Sequence, residues 1–221
     1  MFTSEFGLYL RLGFDHIADL SAYDHILFVI ALAAVYSVKE WKHMLVLVTA
    51  FTIGHSITLA MATLGVLVFN EALIETLIPI TIFITAALNV IERIGKEPEK
   101  AIDRDWKFKY FLALFFGLIH GLGFSYYLRA ILGGESSIIF PLFSFNVGLE
   151  LGQLVILVIT LSFGTVIVWL INRALSGTNF ENTPTQGDGT LLRLTASNVS
   201  IWYSTVLSAV IAVWSLTMIP F

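Results

Sequence analysis

His55 lies in Ala50-Phe51-Thr52-Ile53-Gly54-His55-Ser56-Ile57-Thr58-Leu59, deep in a long apolar run. His120 interrupts a second run within Gly117-Leu118-Ile119-His120-Gly121-Leu122-Gly123, and His25 follows Asp24 at the head of a third. An ionisable side chain inside an apolar, membrane-length segment is costly, and by default it marks function. Imidazole and carboxylate are good ligands for divalent transition ions. The chain has no cysteine, so thiolate sites are excluded. The candidate metal ligands are His16, Asp24, His25, His55, His120 and Glu150. Thr52, Ser56, Glu75, Asn146 and Gln153 are candidates to line a cavity around them. The metal would be nickel, cobalt or zinc.

Each candidate also has a plain structural reading. Asp24 closes a Ser21-x-x-Asp24 pattern of capping-box form. His16 would then sit at the water interface, and His55 would bridge two helices while Thr52 and Ser56 bond to backbone carbonyls. Gly117 and Gly121 form a small-xxx-small face, for which close helix packing is the better explanation. Asn146, Glu150 and Gln153 fall at i, i+4 and i+7, one polar stripe that could simply hold a bundle together. Glu71 and Glu75 are either cation-attracting mouth residues or solvated ones. Ser56 beside His55 is no catalytic dyad, because adjacent helical residues point apart. No GxSxG, P-loop or HExxH pattern is present.

The elements that must position these residues are membrane helices. Hydrophobic residues make up 57% of the chain, charged ones 13%, and the mean hydropathy is +0.86. Soluble domains carry nearly twice that charge. The apolar runs are long and unbroken, which excludes a β-barrel. The net charge of −4 and the lack of a basic patch argue against nucleic-acid binding. The expected fold is all-α: one polytopic bundle over 21–221, with an amphipathic segment over 1–20 lying at the membrane surface. Six candidate spans are near 21–38, 43–67, 72–92, 108–132, 140–172 and 199–219, each close to or above the roughly 20 residues a bilayer requires. Pro141 suits the first turn of the over-long fifth. A polar loop near 176–197 precedes the last span, and no signal peptide is evident at the N-terminus.

Lys and Arg set the orientation. With the N-terminus outside, only Arg11 and Arg129 face outward, and the other ten basic residues face the cytoplasm. Both termini would be extracytoplasmic. His25 is then expected about one turn below the outer surface, with His55 and His120 roughly 15–18 Å down at a rise of ~1.5 Å per residue. The polar residues converge on the middle and outer half, as around a cavity open to the outside. The inner half shows no matching polar path beyond Thr49, Thr160 and Ser162.

Several motifs together resemble the HupE/UreJ membrane proteins. They are Gly13-x-x-His16-Ile17…Asp24-His25-x-Leu27-Phe28 and Thr49-Ala-Phe51-Thr52-x-x-His55-Ser56-x-Thr58-Leu59. Further on come Glu75-x-Leu77-Ile78…Ala86-x-x-Asn89, Phe116-Gly117-Leu118-x-His120-Gly121-x-Gly123-Phe124 and Phe145-Asn146-x-Gly148-x-Glu150-x-Gly152-Gln153. The resemblance covers about residues 13–153. It implies a six-span bacterial inner-membrane protein, a nickel or cobalt permease of hydrogenase and urease systems, with metal handled at the six ligand positions above. Pro79 and Thr81 stand where that pattern expects Ala and Ser.

Three functions of different class remain open. The first is a transition-metal transporter. The second is a zinc-dependent intramembrane hydrolase acting on a lipid or peptide, the one enzymatic reading. The third is a non-catalytic assembly factor whose polar cluster is structural. The expected partners are the lipid bilayer and the metal ion, with a second copy or a membrane partner protein left open.

Overall fold

The computed structural model describes residues 2–21, 23–93, 106–132, 137–176 and 199–220. The charged connection after Arg93 and the polar stretch near 176–197 lie outside them. Among the described residues the chain is all-helical, with no strand. Its helices are α1 (Phe2–Ala18), α2 (Asp24–Ala33), α3 (Trp41–Thr63), α4 (Glu71–Arg93), α5 (Trp106–Gly123), α6 (Ser125–Leu132), α7 (Ile139–Ser176) and α8 (Val199–Thr217).

Three of them, α3 with its leading turn, α4 and α7, are long and apolar enough to cross a membrane. A fourth crossing results if α5 and α6 count as one span, since they pass the test together but bend by 55°. This is a membrane protein by its apolar helices. The remaining apolar helices, α2 and Tyr203–Thr217 of α8, are shorter.

Local signals explain several ends. Ser37 and Glu40 form a capping box ahead of α3: the Glu40 carboxylate accepts the Ser37 backbone N–H at 2.9 Å and its hydroxyl at 3.0 Å. Gly65, at φ +73°, ends α3 in the left-handed conformation that favours glycine. Val66 N–H then returns to Met61 O at 2.9 Å, which satisfies a terminal carbonyl.

The expected Ser21–Asp24 capping box does not form. Tyr23 is the N-cap of α2 and makes no side-chain cap. Ser21 N–H goes to Asp19 Oδ1 at 2.8 Å. That local turn competes with helix and interrupts the chain between α1 and α2.

Glycines set the two tightest helix pairs. A Cβ on Gly54 would collide with Leu114 O, one on Gly117 with Phe51 O, and one on Gly121 with His55 O. So α3 and α5 run the same way with their backbones nearly touching, as small-xxx-small packing in lipid allows. Gly13 meets Phe145 O and Gly148 meets Leu10 O in the same manner.

Phe6 lies against Phe140 and Ile17 against Gly152, so α1 runs parallel to the start of α7. α1 is amphipathic, with Arg11 and Asp15 exposed and Tyr9, Gly13 and Ile17 buried, but its buried face sits on α7. α2 also packs on α7, and its last residue, Ala33, shares a core cluster with Met44 and Leu157. α1 and α2 thus follow one another along α7 as two halves of an interrupted helix.

Candidate metal centre

The break between α1 and α2 is where the histidines meet. His16 comes from the last turn of α1 and His25 from the first turn of α2. His55 comes from the middle of α3, and His120 from the last turn of α5, just before the bend into α6. Ring centroids are 4.7 Å apart for His16–His25 and 5.0 Å for His25–His120. They are 5.8 Å apart for His16–His55 and 5.9 Å for His25–His55. The close α3–α5 approach at Gly121 seats His120 beside this group. His25 is therefore beside His55 and His120, at the start of α2.

The group is enclosed. His55 and His120 are fully buried. Phe124 stacks 3.9 Å from His16, and Phe28 and Phe51 lie 5.1 and 5.2 Å from His120. Water is kept away from ring nitrogens that have no other partner: His16 Nε2, His25 Nε2, both nitrogens of His55, and His120 Nδ1. Buried polar atoms are nearly always paired, so five such atoms in one place require an explanation.

The hydrogen bonds that do exist orient two of the rings. Asp24 Oδ1 lies 3.0 Å from His25 Nδ1 and also accepts the His25 backbone N–H at 2.9 Å. A proton on Nδ1, donated to that carboxylate, leaves Nε2 with a bare lone pair. Thr81, from α4, donates its hydroxyl to Ile78 O at 2.6 Å and sits 2.9 Å from His120 Nε2. Its proton is committed, so it accepts from His120 Nε2–H, and Nδ1 carries the lone pair. In both rings the free lone pair falls on the unpartnered nitrogen. Carboxylates and hydroxyls orient metal-binding histidines in this way.

Asp24, His25 and His120 also offer ligand atoms within 4.8 Å of one another. Among the described residues this is the one such group; His16 and His55 adjoin it at the ring separations above, and Asp24 Oδ1 is the atom bonded to His25. Rings bound to one tetrahedral ion through bonds of ~2.0 Å have centroids roughly 5 Å apart, which His16–His25 and His25–His120 match, while the separations to His55 are longer.

The other candidates lie elsewhere. Glu150 accepts the Thr49 hydroxyl at 2.7 Å and is not in the ligand group. Thr52 donates to Gln153 Oε1 at 2.9 Å, which leaves Gln153 Nε2 buried without a partner. Ser56 donates to Thr52 O at 2.6 Å on its own helix. Asn146 Oδ1 is buried and unpartnered. Glu75 is exposed on the second turn of α4.

Sequence reasoning took only Glu75 of α4 as a candidate and missed the buried polar stripe of that helix. Its buried polar residues Thr81, Thr85 and Asn89 fall at i, i+4 and i+8, and Glu92 follows. That spacing was legible as one helical stripe.

The HupE / UreJ protein family matches residues 1–217. The chain belongs to that family. The match runs past the motif-bearing stretch and through α8. No curated protein and no solved structure matches the chain. The four buried rings and the Asp24 and Thr81 that orient two of them all lie within the HupE/UreJ match.

Proposed function

We propose that this HupE/UreJ protein carries a divalent transition-metal ion, nickel or cobalt, across the bacterial inner membrane. The family is associated with nickel and cobalt transport. The observation that carries the reading is the set of buried, unpartnered ring nitrogens on four neighbouring histidines, beside an Asp24–His25–His120 group with ligand atoms within 4.8 Å of one another. His16, His25, His55 and His120 hold the cargo, and Asp24 and Thr81 orient His25 and His120. Imidazole suits nickel and cobalt, and a set without thiolate releases them more readily than a cysteine site would. Thr52, Asn146, Glu150 and Gln153 line the surroundings, and Glu75 stands at the outer mouth.

In this reading the six crossings are the interrupted α1–α2, α3, α4, bent α5–α6, α7 and α8. α1 is then the outer half of the first crossing rather than a helix flat on the surface. Both termini lie outside. A binding site at the break of a discontinuous helix is a recurring transporter device.

The test is metal binding to the detergent-purified full chain, with flux into proteoliposomes, for wild type, His55→Ala and His120→Ala. Exchangeable nickel or cobalt binding and flux, both lost in the variants, are the expected result. Near-stoichiometric zinc that survives chelator and vanishes in the variants would replace transport with zinc-dependent hydrolysis. No metal under any loading condition would end the metal reading.

A further inference from the structure

The transport reading lacks an inner half, and α4 supplies a candidate. Thr81, which touches His120, is followed down the same helix by Thr85, Asn89 and Glu92. All four are buried, at 2%, 6%, 5% and 7% exposure. From Thr81 to Glu92 is about 16 Å along the helix axis. Thr85, Asn89 and Glu92 then line a small, partly open pocket between α2, α3, α4 and α5, together with Tyr36, Lys109 and Phe116. Asn89 donates to Ala31 O at 2.7 Å, which holds its amide in place. At the far end Lys109 Nζ meets Glu92 Oε2 at 2.8 Å and lies over the Tyr36 ring at 5.1 Å. An ion pair this deep is weak evidence for stability, because desolvating both charges offsets most of their attraction.

We propose that the Thr85–Asn89–Glu92 cavity is the inner station of the pathway, a site for a divalent cation that has left the histidines, and that Lys109 is its gate. The station deepens the transport reading and rests on it. Its donors are hydroxyl, amide and carboxylate oxygens. Borderline transition ions bind such oxygens less tightly than imidazole, so the station favours onward release. Cation and Lys109 ammonium compete for one carboxylate. With the station empty the ammonium neutralises Glu92 and closes the cavity. An arriving dication displaces it, and its return expels the ion toward the end of the bundle that bears the Lys- and Arg-rich connection. The ion neither forms nor breaks a covalent bond.

The test uses the full chain in proteoliposomes, with Co²⁺ as the probe and binding measured on the same detergent-purified samples. Glu92→Gln alone strands a buried ammonium and risks misfolding. The decisive variant is therefore the neutral pair Glu92→Gln with Lys109→Met. The expected result is Co²⁺ binding within about twofold of wild type and initial uptake lower by about tenfold or more, since the dication loses the Glu92 carboxylate. Uptake within twofold of wild type overturns the proposal. So does a parallel loss of binding, which would mean that the pair acts through the fold of the histidine site. If wild type itself neither binds nor transports Co²⁺, the transport reading fails, and that failure is recognised without any variant.

Discussion

At the scale of single residues, the hydrogen bonds of two rings decide what the histidines can do. Thr81 accepts from His120 Nε2 because its own proton goes to Ile78 O. Thr81→Val removes the acceptor and lets the ring carry its proton on either nitrogen. Metal affinity is expected to fall about 10- to 100-fold with the fold intact, while Thr81→Ser keeps wild-type affinity. Titration calorimetry with Co²⁺ on the two purified variants measures the difference, and equal affinities would remove Thr81 from the site. A proton and a metal ion compete for the same lone pairs, so binding should release protons and weaken as the pH falls. Calorimetry in buffers of different ionisation enthalpy counts those protons. Glu92→Gln belongs to this scale too. The pair is only partly buried, so removing one partner costs less than the ~3–5 kcal/mol of a fully buried pair; a drop in thermal midpoint is still expected, and Lys109→Met alongside it should recover most of that loss.

At the scale of elements, glycine contacts and one interruption build the site. Gly121 lets α5 lie against His55 O and the Thr58 hydroxyl, which donates to Leu118 O at 2.8 Å across the same interface. Gly121→Val would force the helices apart, at about 1–3 kcal/mol by the usual cost of overpacking. His120 would be displaced from the group at the same time. The expected signature is loss of Co²⁺ binding in protein that still elutes as wild type on size exclusion. The α1–α7 pairing has its own test, helped by the absence of cysteine. Phe6→Cys with Phe140→Cys should cross-link within one chain through a short bis-maleimide, because their rings are 6.1 Å apart. A helix lying flat on the membrane surface would leave that pair unlinked.

At the scale of the whole molecule, charge asymmetry underlies the proposed orientation. If the basic face is cytoplasmic, Val68→Cys, in the connection before α4, reacts with an impermeant maleimide in intact cells. Lys39→Cys should react only after permeabilisation. The opposite pattern would invert the pathway and place the Glu92–Lys109 gate outside. Transport that samples both sides requires the histidine site and the inner cavity to open alternately, and an interrupted first helix together with the bent α5–α6 pair provides places for such movement.

Composition and spacing determined much of this from the sequence alone. The long apolar runs required helices, since a bilayer leaves backbone groups no other partners within a single segment. Histidines inside those runs stood out because burying them is costly, and Gly117 and Gly121 announced a close helix pair. Tertiary structure decided what no local pattern carries. Ser21-x-x-Asp24 has capping-box form, yet the Asp24 carboxylate turns to the His25 ring, a partner within reach that also needs a hydrogen bond. Glu150 was a candidate ligand by its residue type; its partner in the structure is Thr49, because the crossing of α3 and α7 sets that contact and its own helix does not. That α1 packs lengthwise on α7 and brings His16 to His25 follows from Gly13 and Gly148 fitting carbonyls of the opposing helix. Periodicity says which residues share a face. Only packing says what that face meets.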